Sequence, residues 1–86
     1  MSLFVSETIL KAVRHNMAAY ELPLSSEELH AIRSDANFGS ILDKDVTEID
    51  QCIAKLFSDY HAGHLSLKKF SDQYGVWIRL RKYACR

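Results

Sequence analysis

Four side chains of the types that bind zinc lie in the second half of the chain: Cys52, His61, His64 and Cys85. Structural zinc sites draw such residues from closely spaced pairs that follow recognisable patterns. These four match none of the common patterns, and Cys52 falls on an apolar stripe, where a thiol usually packs as a small hydrophobe. We therefore expect the protein to hold no metal and no other cofactor.

Asp43 and Asp45 suggest the start of a calcium-binding loop. Counted from Asp43, the sixth position is Glu48, where the loop needs glycine to turn. The twelfth position is Ala54, where a glutamate is needed to bind the ion through both oxygens. The calcium interpretation fails at both positions, and helix capping explains the two aspartates instead.

The sequence shows no recognisable arrangement of catalytic residues. It contains no nucleophile elbow, no glycine-rich loop for phosphate, and no histidine paired by spacing with a nucleophile and a carboxylate. A domain of this size also seldom encloses a substrate pocket on the order of several hundred Å³. We therefore expect that the protein is not an enzyme.

Charge is segregated along the chain, although 11 basic and 11 acidic residues cancel overall. Residues 21–50 carry eight acidic and two basic side chains, a balance of −6. Residues 64–86 carry six basic side chains and one acidic side chain, a balance of +5. Such a dipolar domain can steer a charged partner towards one end, but the polarity alone does not name the partner.

Both charged regions are candidate partner-binding surfaces. The acidic surface would meet something basic, such as a nuclease, whereas the basic surface combines cations with aromatic rings that could stack on bases. The predicted binding residues are Glu27, Glu28, Asp43 and Asp45 in the acidic segment, and Trp77, Arg79, Leu80, Arg81, Lys82 and Tyr83 near the C-terminus. Because nucleic-acid binders usually carry a net positive charge and this chain is neutral, a protein partner is favoured and nucleic acid is the alternative.

The apolar periodicity predicts an all-α fold, a compact bundle of about four helices in a single domain, residues 1–86. The first helix is predicted from Leu3 to about Tyr20, and Pro23 follows its end. Ser25 and Glu28 form a capping box that begins a short second helix. This second helix should fray by about residue 37 and be followed by a loop at residues 38–40.

Capping signals also predict the third and fourth helices. Asp45 stands where it can cap the third, and Gly63 stands where its left-handed C-terminal cap is expected. The fourth helix should start at Ser66 and run to about Tyr83. Because the link between these helices is short, they should form an antiparallel hairpin.

The fourth helix carries apolar residues on two sides. We expect the row of Phe70, Tyr74 and Trp77 to face the core, which leaves a second row with little to cover it, formed by Val76, Leu80 and Tyr83. A homodimer, or a protein partner, with Leu80 and Tyr83 near the contact would bury that row. An alternative has a strand over residues 76–83, where apolar and basic residues alternate, but no second strand is evident to pair with it.

The segment Leu56–Phe70 resembles the helix–turn–helix of small helical bacteriocin immunity proteins of the colicin D type. The resemblance covers under a third of the chain, and its glycine cap, serine cap and aromatic staple occur in many helical hairpins. It implies no individual site residue and points only towards a protein that works by binding another protein.

Location follows from the cysteine count and the hydropathy pattern. Two cysteines fit a reducing compartment better than a secreted disulfide framework. No signal peptide is visible, and no apolar run is long enough to cross a bilayer. We therefore predict a cytoplasmic, non-enzymatic protein-binding module, an inhibitor, immunity or regulatory factor that acts by covering a partner's surface, without membrane attachment.

Overall fold

A computed structural model of the protein describes residues 5–36 and 38–85, and these residues form helices and no strand. None of the described helices is both long and apolar enough to span a membrane. The predicted all-α class is confirmed, and the described part of the chain contains four α-helices and two short 3-10 helices. In chain order they are α1 (Glu7–Ala12), a 3-10 helix (Met17–Ala19), α2 (Ser26–Arg33), a 3-10 helix (Gly39–Asp43), α3 (Val46–His61) and α4 (Leu67–Ala84).

The first helix is much shorter than predicted. Within the described residues it begins after its cap, Ser6, and ends at Ala12, because Val13 is extended with φ −114° and ψ 130°. The predicted start at Leu3 lies outside the described residues. Beyond Val13, the backbone N–H and C=O of Arg14 bond to side chains of α2 and α4 instead of continuing a helix.

The capping box before α2 is confirmed in both directions. The Glu28 N–H donates to the Ser25 hydroxyl at 3.2 Å, and the Ser25 N–H donates to the Glu28 carboxylate at 3.0 Å. The helix ends at Arg33, earlier than predicted. The predicted loop at 38–40 instead contains the buried Phe38 and the start of the second 3-10 helix, so this prediction was wrong.

The turn between α3 and α4 has the predicted glycine cap. Gly63 adopts a φ of +85°, a left-handed conformation in which a residue with a Cβ would be strained. The Gly63 N–H donates to the Tyr60 carbonyl at 3.1 Å, and the His64 N–H donates to the Asp59 carbonyl at 3.0 Å. Together these two bonds form a Schellman motif, which satisfies carbonyls that the end of α3 would otherwise leave unpaired.

Helices α3 and α4 pack as the predicted antiparallel hairpin. Next to the turn, the Phe57 and Phe70 rings are 5.1 Å apart. At the far end, Asp50 near the start of α3 meets Arg81 near the end of α4 at 2.6 Å. Helix α4 continues without a break to Ala84, so the strand alternative for residues 76–83 was wrong.

The core is built around α4. Val76, Trp77 and Leu80 are all buried, with at most 1% of each residue exposed. Gly75 allows the preceding chain to pack closely, because a Cβ there would lie 2.3 Å from the His15 carbonyl oxygen. The expectation that Leu80 lies on a poorly covered row was therefore wrong: a single chain covers it completely, and a dimer is not needed to bury it.

Candidate protein-binding surface

Three of the residues predicted to bind a partner near the C-terminus lie inside the molecule. Trp77, Arg79 and Leu80 have exposed fractions of 1%, 1% and 0%. Folding brings these side chains into the protein's own core, so they present no surface to a partner in this structure. Burial in this segment therefore does not follow the alternation of apolar and basic residues, because the basic Arg79 lies inside the fold.

The remaining C-terminal residues lie nearer the surface. Arg81 and Lys82 are exposed, and Tyr83 is partly buried. The Arg81 guanidinium donates to Asp50, and the Lys82 ammonium donates to the Glu21 carbonyl. Lys82 and Tyr83 also line a shallow, mainly apolar groove of about 540 Å³ together with Pro23, Leu24, Leu29 and Cys85.

The predicted binding residues of the acidic segment are also divided between exposed and buried positions. Glu27, Asp43 and Asp45 are exposed, whereas Glu28 is only 8% exposed. The Asp45 carboxylate accepts from the Glu48 N–H at 2.9 Å and caps α3 as predicted. The exposed members therefore keep the segment acidic at the surface, while Glu28 acts inside the fold.

Arg79 is the centre of a buried polar network. Its guanidinium donates to both oxygens of Glu28, at 2.5 and 2.7 Å. It also donates to the backbone carbonyls of Arg14, Leu22 and Pro23, at 2.9, 3.1 and 2.7 Å. Because a guanidinium has five N–H donors, these contacts use all of them and tie three segments to α4.

Glu28 is equally well satisfied. Beyond the two bonds from Arg79, its carboxylate accepts from the backbone N–H groups of Arg14 at 2.8 Å and Ser25 at 3.0 Å. Burial alone would raise the pKa of Glu28, but the hydrogen bonds and the Arg79 charge outweigh it and lower that pKa from 4.5 to about 2. The pair is thus a structural ion pair with no unused hydrogen-bonding capacity directed at a ligand.

A cluster of aromatic rings covers the outer side of the α3–α4 hairpin. The Phe70 ring stacks on Tyr60 at 4.6 Å and on Tyr74 at 5.6 Å. Phe57 lies 5.1 Å from Phe70 and 5.5 Å from Tyr74. Tyr20, from the segment after α1, contacts Tyr74 edge-on at 5.8 Å. Each ring therefore supports its neighbours, with centroid separations favourable for aromatic pairs.

These rings are not sealed inside the fold. Phe57 is 38% exposed, and Tyr20, Tyr60, Phe70 and Tyr74 are partly buried. Leu67 is 65% exposed, and it lies two turns before Tyr74 on the same side of α4. We call the surface of Tyr20, Phe57, Tyr60, Leu67, Phe70 and Tyr74 the aromatic face.

One ion pair marks the end of the aromatic face. Asp50 lies two turns before Phe57 on α3, and Arg81 lies two turns after Tyr74 on α4, so each shares a side with its aromatic neighbour. Their side chains meet at 2.6 Å. The hydrogen bond from Arg81 to Asp50 raises the pKa of Arg81, and the two charges neutralise each other at this boundary.

Sequence reasoning missed the aromatic face because it assigned Phe70 and Tyr74 to the core. One signal in the sequence could have corrected this assignment. Gly75 stands beside Val76, and a glycine within a helix commonly marks a side that another backbone approaches closely. That signal places the inner side of α4 at Gly75 and Val76, and leaves Tyr74 on the outer side.

The other candidate chemistry is not assembled. Among residues 5–36 and 38–85, no three His, Cys, Asp or Glu side chains converge to hold a metal ion. Cys52 is partly buried, and burial raises the pKa of its thiol, whereas Cys85 is exposed. What the surface offers instead is aromatic contact area with a few hydroxyl groups, the composition typical of protein-binding hot spots.

Comparison of the chain with protein-family models, with curated proteins and with solved structures finds no match.

Proposed function

We propose that this protein is a small, non-enzymatic protein-binding module, an inhibitor, immunity or regulatory factor that covers a partner's surface with its aromatic face. The observation that carries the proposal is the exposed cluster of mutually supporting rings on the α3–α4 hairpin, led by Phe57 with 38% of its surface exposed. It would act in the cytoplasm, where two free cysteines remain reduced.

The physical properties of the aromatic face support binding to protein. Aromatic side chains are enriched in the energetically dominant part of protein interfaces, because they bury much area and lose little conformational freedom. Here the rings of Tyr60, Phe70 and Tyr74 already stack in the free protein. A partner would therefore meet a preorganised surface, which lowers the entropic cost of binding.

The buried charges do not favour catalysis. A general acid or base needs to lie within reach of the substrate proton that it transfers. Glu28 and Arg79 instead form their hydrogen bonds with each other and with backbone groups. The network instead holds the 14–28 region against α4. Its contribution to function would be to keep the hairpin and its outer surface in place.

Nucleic-acid binding through the C-terminal helix is less well supported. Of the basic residues there, Arg79 is buried, Arg81 is paired with Asp50, and Lys68 is paired with Asp72 at 3.2 Å. Phosphate contacts require cations that are free to replace counterions. We expect no binding to nucleic acid at physiological salt, and binding that weakens log-linearly with salt would favour this alternative instead.

Site-specific photo-crosslinking in cells that naturally express the protein tests the proposed function. A photoreactive amino acid is placed at Phe57 or Leu67 on the aromatic face, and at Lys55 as a matched exposed position elsewhere on α3. We expect the first two positions to crosslink to another protein, identified by mass spectrometry, and Lys55 not to do so. Crosslinks to another protein from Lys55 alone, or from none of the three, would reject the aromatic face as the docking surface.

A further inference from the structure

We infer that, when no other partner is bound, the aromatic face is covered by a second copy of this chain in a reversible two-fold dimer. The inference rests on the same face as the proposed function but needs no other protein. Binding of a second copy and of a different partner would then be mutually exclusive. The partner would have to displace the second copy.

The charge distribution of the aromatic face favours self-association. In a two-fold dimer the same surface is used by both copies, so a face with a net charge would repel itself. The six residues of the aromatic face are uncharged, and the Asp50–Arg81 pair at its end is neutral overall. By contrast, the exposed acidic side chains between residues 21 and 50 would repel their own copy.

The area of the aromatic face limits the size of the dimer interface. Taking roughly 200 Å² for a large side chain, and the exposures of Phe57 (38%), Leu67 (65%) and their partly buried neighbours, the face presents on the order of 300–500 Å². Two copies would bury about 600–1,000 Å² together, which is the size of a weak, transient interface and well below that of obligate dimers. The predicted dimer is therefore weak and exchanges with monomer.

The completeness of the single-chain core agrees with a dimer of this kind. Val76, Trp77 and Leu80 are buried without a second chain, so the monomer does not need its copy in order to fold. The aromatic face would therefore form a surface contact between two monomers whose cores are already complete. In the dimer, α3 and α4 of one copy would lie on α3 and α4 of the other, an arrangement of four helices.

Sedimentation velocity on the purified full chain, from micromolar to millimolar concentration, tests the inference. We expect the weight-average mass to rise from 9.9 kDa towards twice that value. Because the contact is apolar and neutral, raising the salt concentration should not weaken it, whereas a head-to-tail contact between acidic and basic regions would weaken.

Variants locate the contact. Phe57→Lys and Leu67→Lys place a cation on the aromatic face, and each should raise the dimer dissociation constant at least about tenfold. Leu67 is the safer position, because 65% of it is exposed and its replacement disturbs the fold least. The control is Leu22→Lys: Leu22 is 42% exposed but lines a different cleft, with Pro23 and Arg79. It should associate as the wild type does.

A wild-type chain that stays at 9.9 kDa at every concentration overturns the inference. So does a dimer that persists unchanged in Leu67→Lys. Failure of the dimer is distinguishable from failure of the proposed function. A monomeric chain that still crosslinks to another protein through Phe57 would reject the dimer and support the docking surface. If Phe57 crosslinks only to a second copy of this chain, the dimer is supported and the proposed function is rejected.

Discussion

The inner and outer faces of α4 carry similar residue types but differ in what surrounds them. The inner face holds Trp77, Leu80 and the buried Arg79, which is paired with Glu28. The outer face holds Phe70, Tyr74 and the exposed Arg81, which is paired with Asp50. Each face thus combines aromatic or aliphatic residues with one arginine–carboxylate pair.

This difference shows that burial, rather than residue type, decides what an ion pair and an apolar side chain contribute. A buried pair must be satisfied completely, because removing one partner leaves a charge in a poorly solvated environment. An exposed pair competes with water and contributes little. The inner face should therefore determine whether the protein folds, and the outer face should determine what it binds.

The largest expected effect comes from Arg79→Ala. The change leaves Glu28 buried without its partner and removes the donors to the carbonyls of Leu22 and Pro23. We expect the free energy of unfolding to fall by about 4 kcal/mol, measured by urea denaturation followed by circular dichroism. Arg81→Ala is the matched control on the outer face and should leave the unfolding midpoint nearly unchanged. Equal effects of the two changes would contradict the comparison.

The apolar residues of the two faces give the next contrast. Leu80→Ala creates a cavity at a fully buried position, and we expect a loss of about 3 kcal/mol in the free energy of unfolding. Leu67→Ala removes a side chain that is 65% exposed, and should change stability by less than about 0.5 kcal/mol. The same denaturation experiment compares them. A larger loss for Leu67 would mean that the two faces are assigned the wrong way round.

Local features of this fold could be predicted from the sequence because neighbouring residues determine them. The caps at Ser25, Asp45 and Ser66 are all present, as is the left-handed Gly63. Each depends on residues within about four positions, where the sequence pattern is informative. The two long helices, α3 and α4, and the hairpin that they form followed from these signals.

Features set by distant contacts could not be predicted in the same way. The first helix stops at Ala12, and the next residues bond to Glu28 and Arg79, which are 14 and 65 positions away from Arg14. The orientation of α4 depends on the close approach of His15 to Gly75. Both sides of α4 are apolar, so periodicity alone could not decide which side would be buried. For the same reason, Trp77, Arg79 and Leu80 were predicted to bind a partner although they are buried.

Acid should weaken the inner face selectively. The pKa of Glu28 is lowered from 4.5 to about 2 in the folded protein, so the folded state favours the ionised carboxylate. Its stabilisation is fully present above the unfolded pKa and is lost as the pH falls from about 4.5 to about 2. The shift corresponds to about 3 kcal/mol.

Urea unfolding at a series of pH values between 7 and 2 measures this loss. Replacing both partners, Glu28→Gln with Arg79→Met, removes the ionisable carboxylate and should flatten the stability profile over this range. An unchanged profile in the double variant would show that other groups cause the acid sensitivity.

The smallest expected effects concern the caps that position the two faces. Ser25 caps the helix that presents Glu28 to the inner face, and Ser66 caps α4 next to the aromatic face. Their hydroxyls each accept one backbone N–H at 3.2 Å, so Ser25→Ala and Ser66→Ala should each lower the free energy of unfolding by about 1 kcal/mol. Ser26→Ala, at the exposed first residue of α2, is the control and should change it by less than about 0.5 kcal/mol.

Because the caps act on folding and not on the exposed surface, neither Ser25→Ala nor Ser66→Ala should alter the dimer dissociation constant. A cap variant that weakens the dimer as much as Leu67→Lys would show that folding and binding are not divided between the two faces of α4.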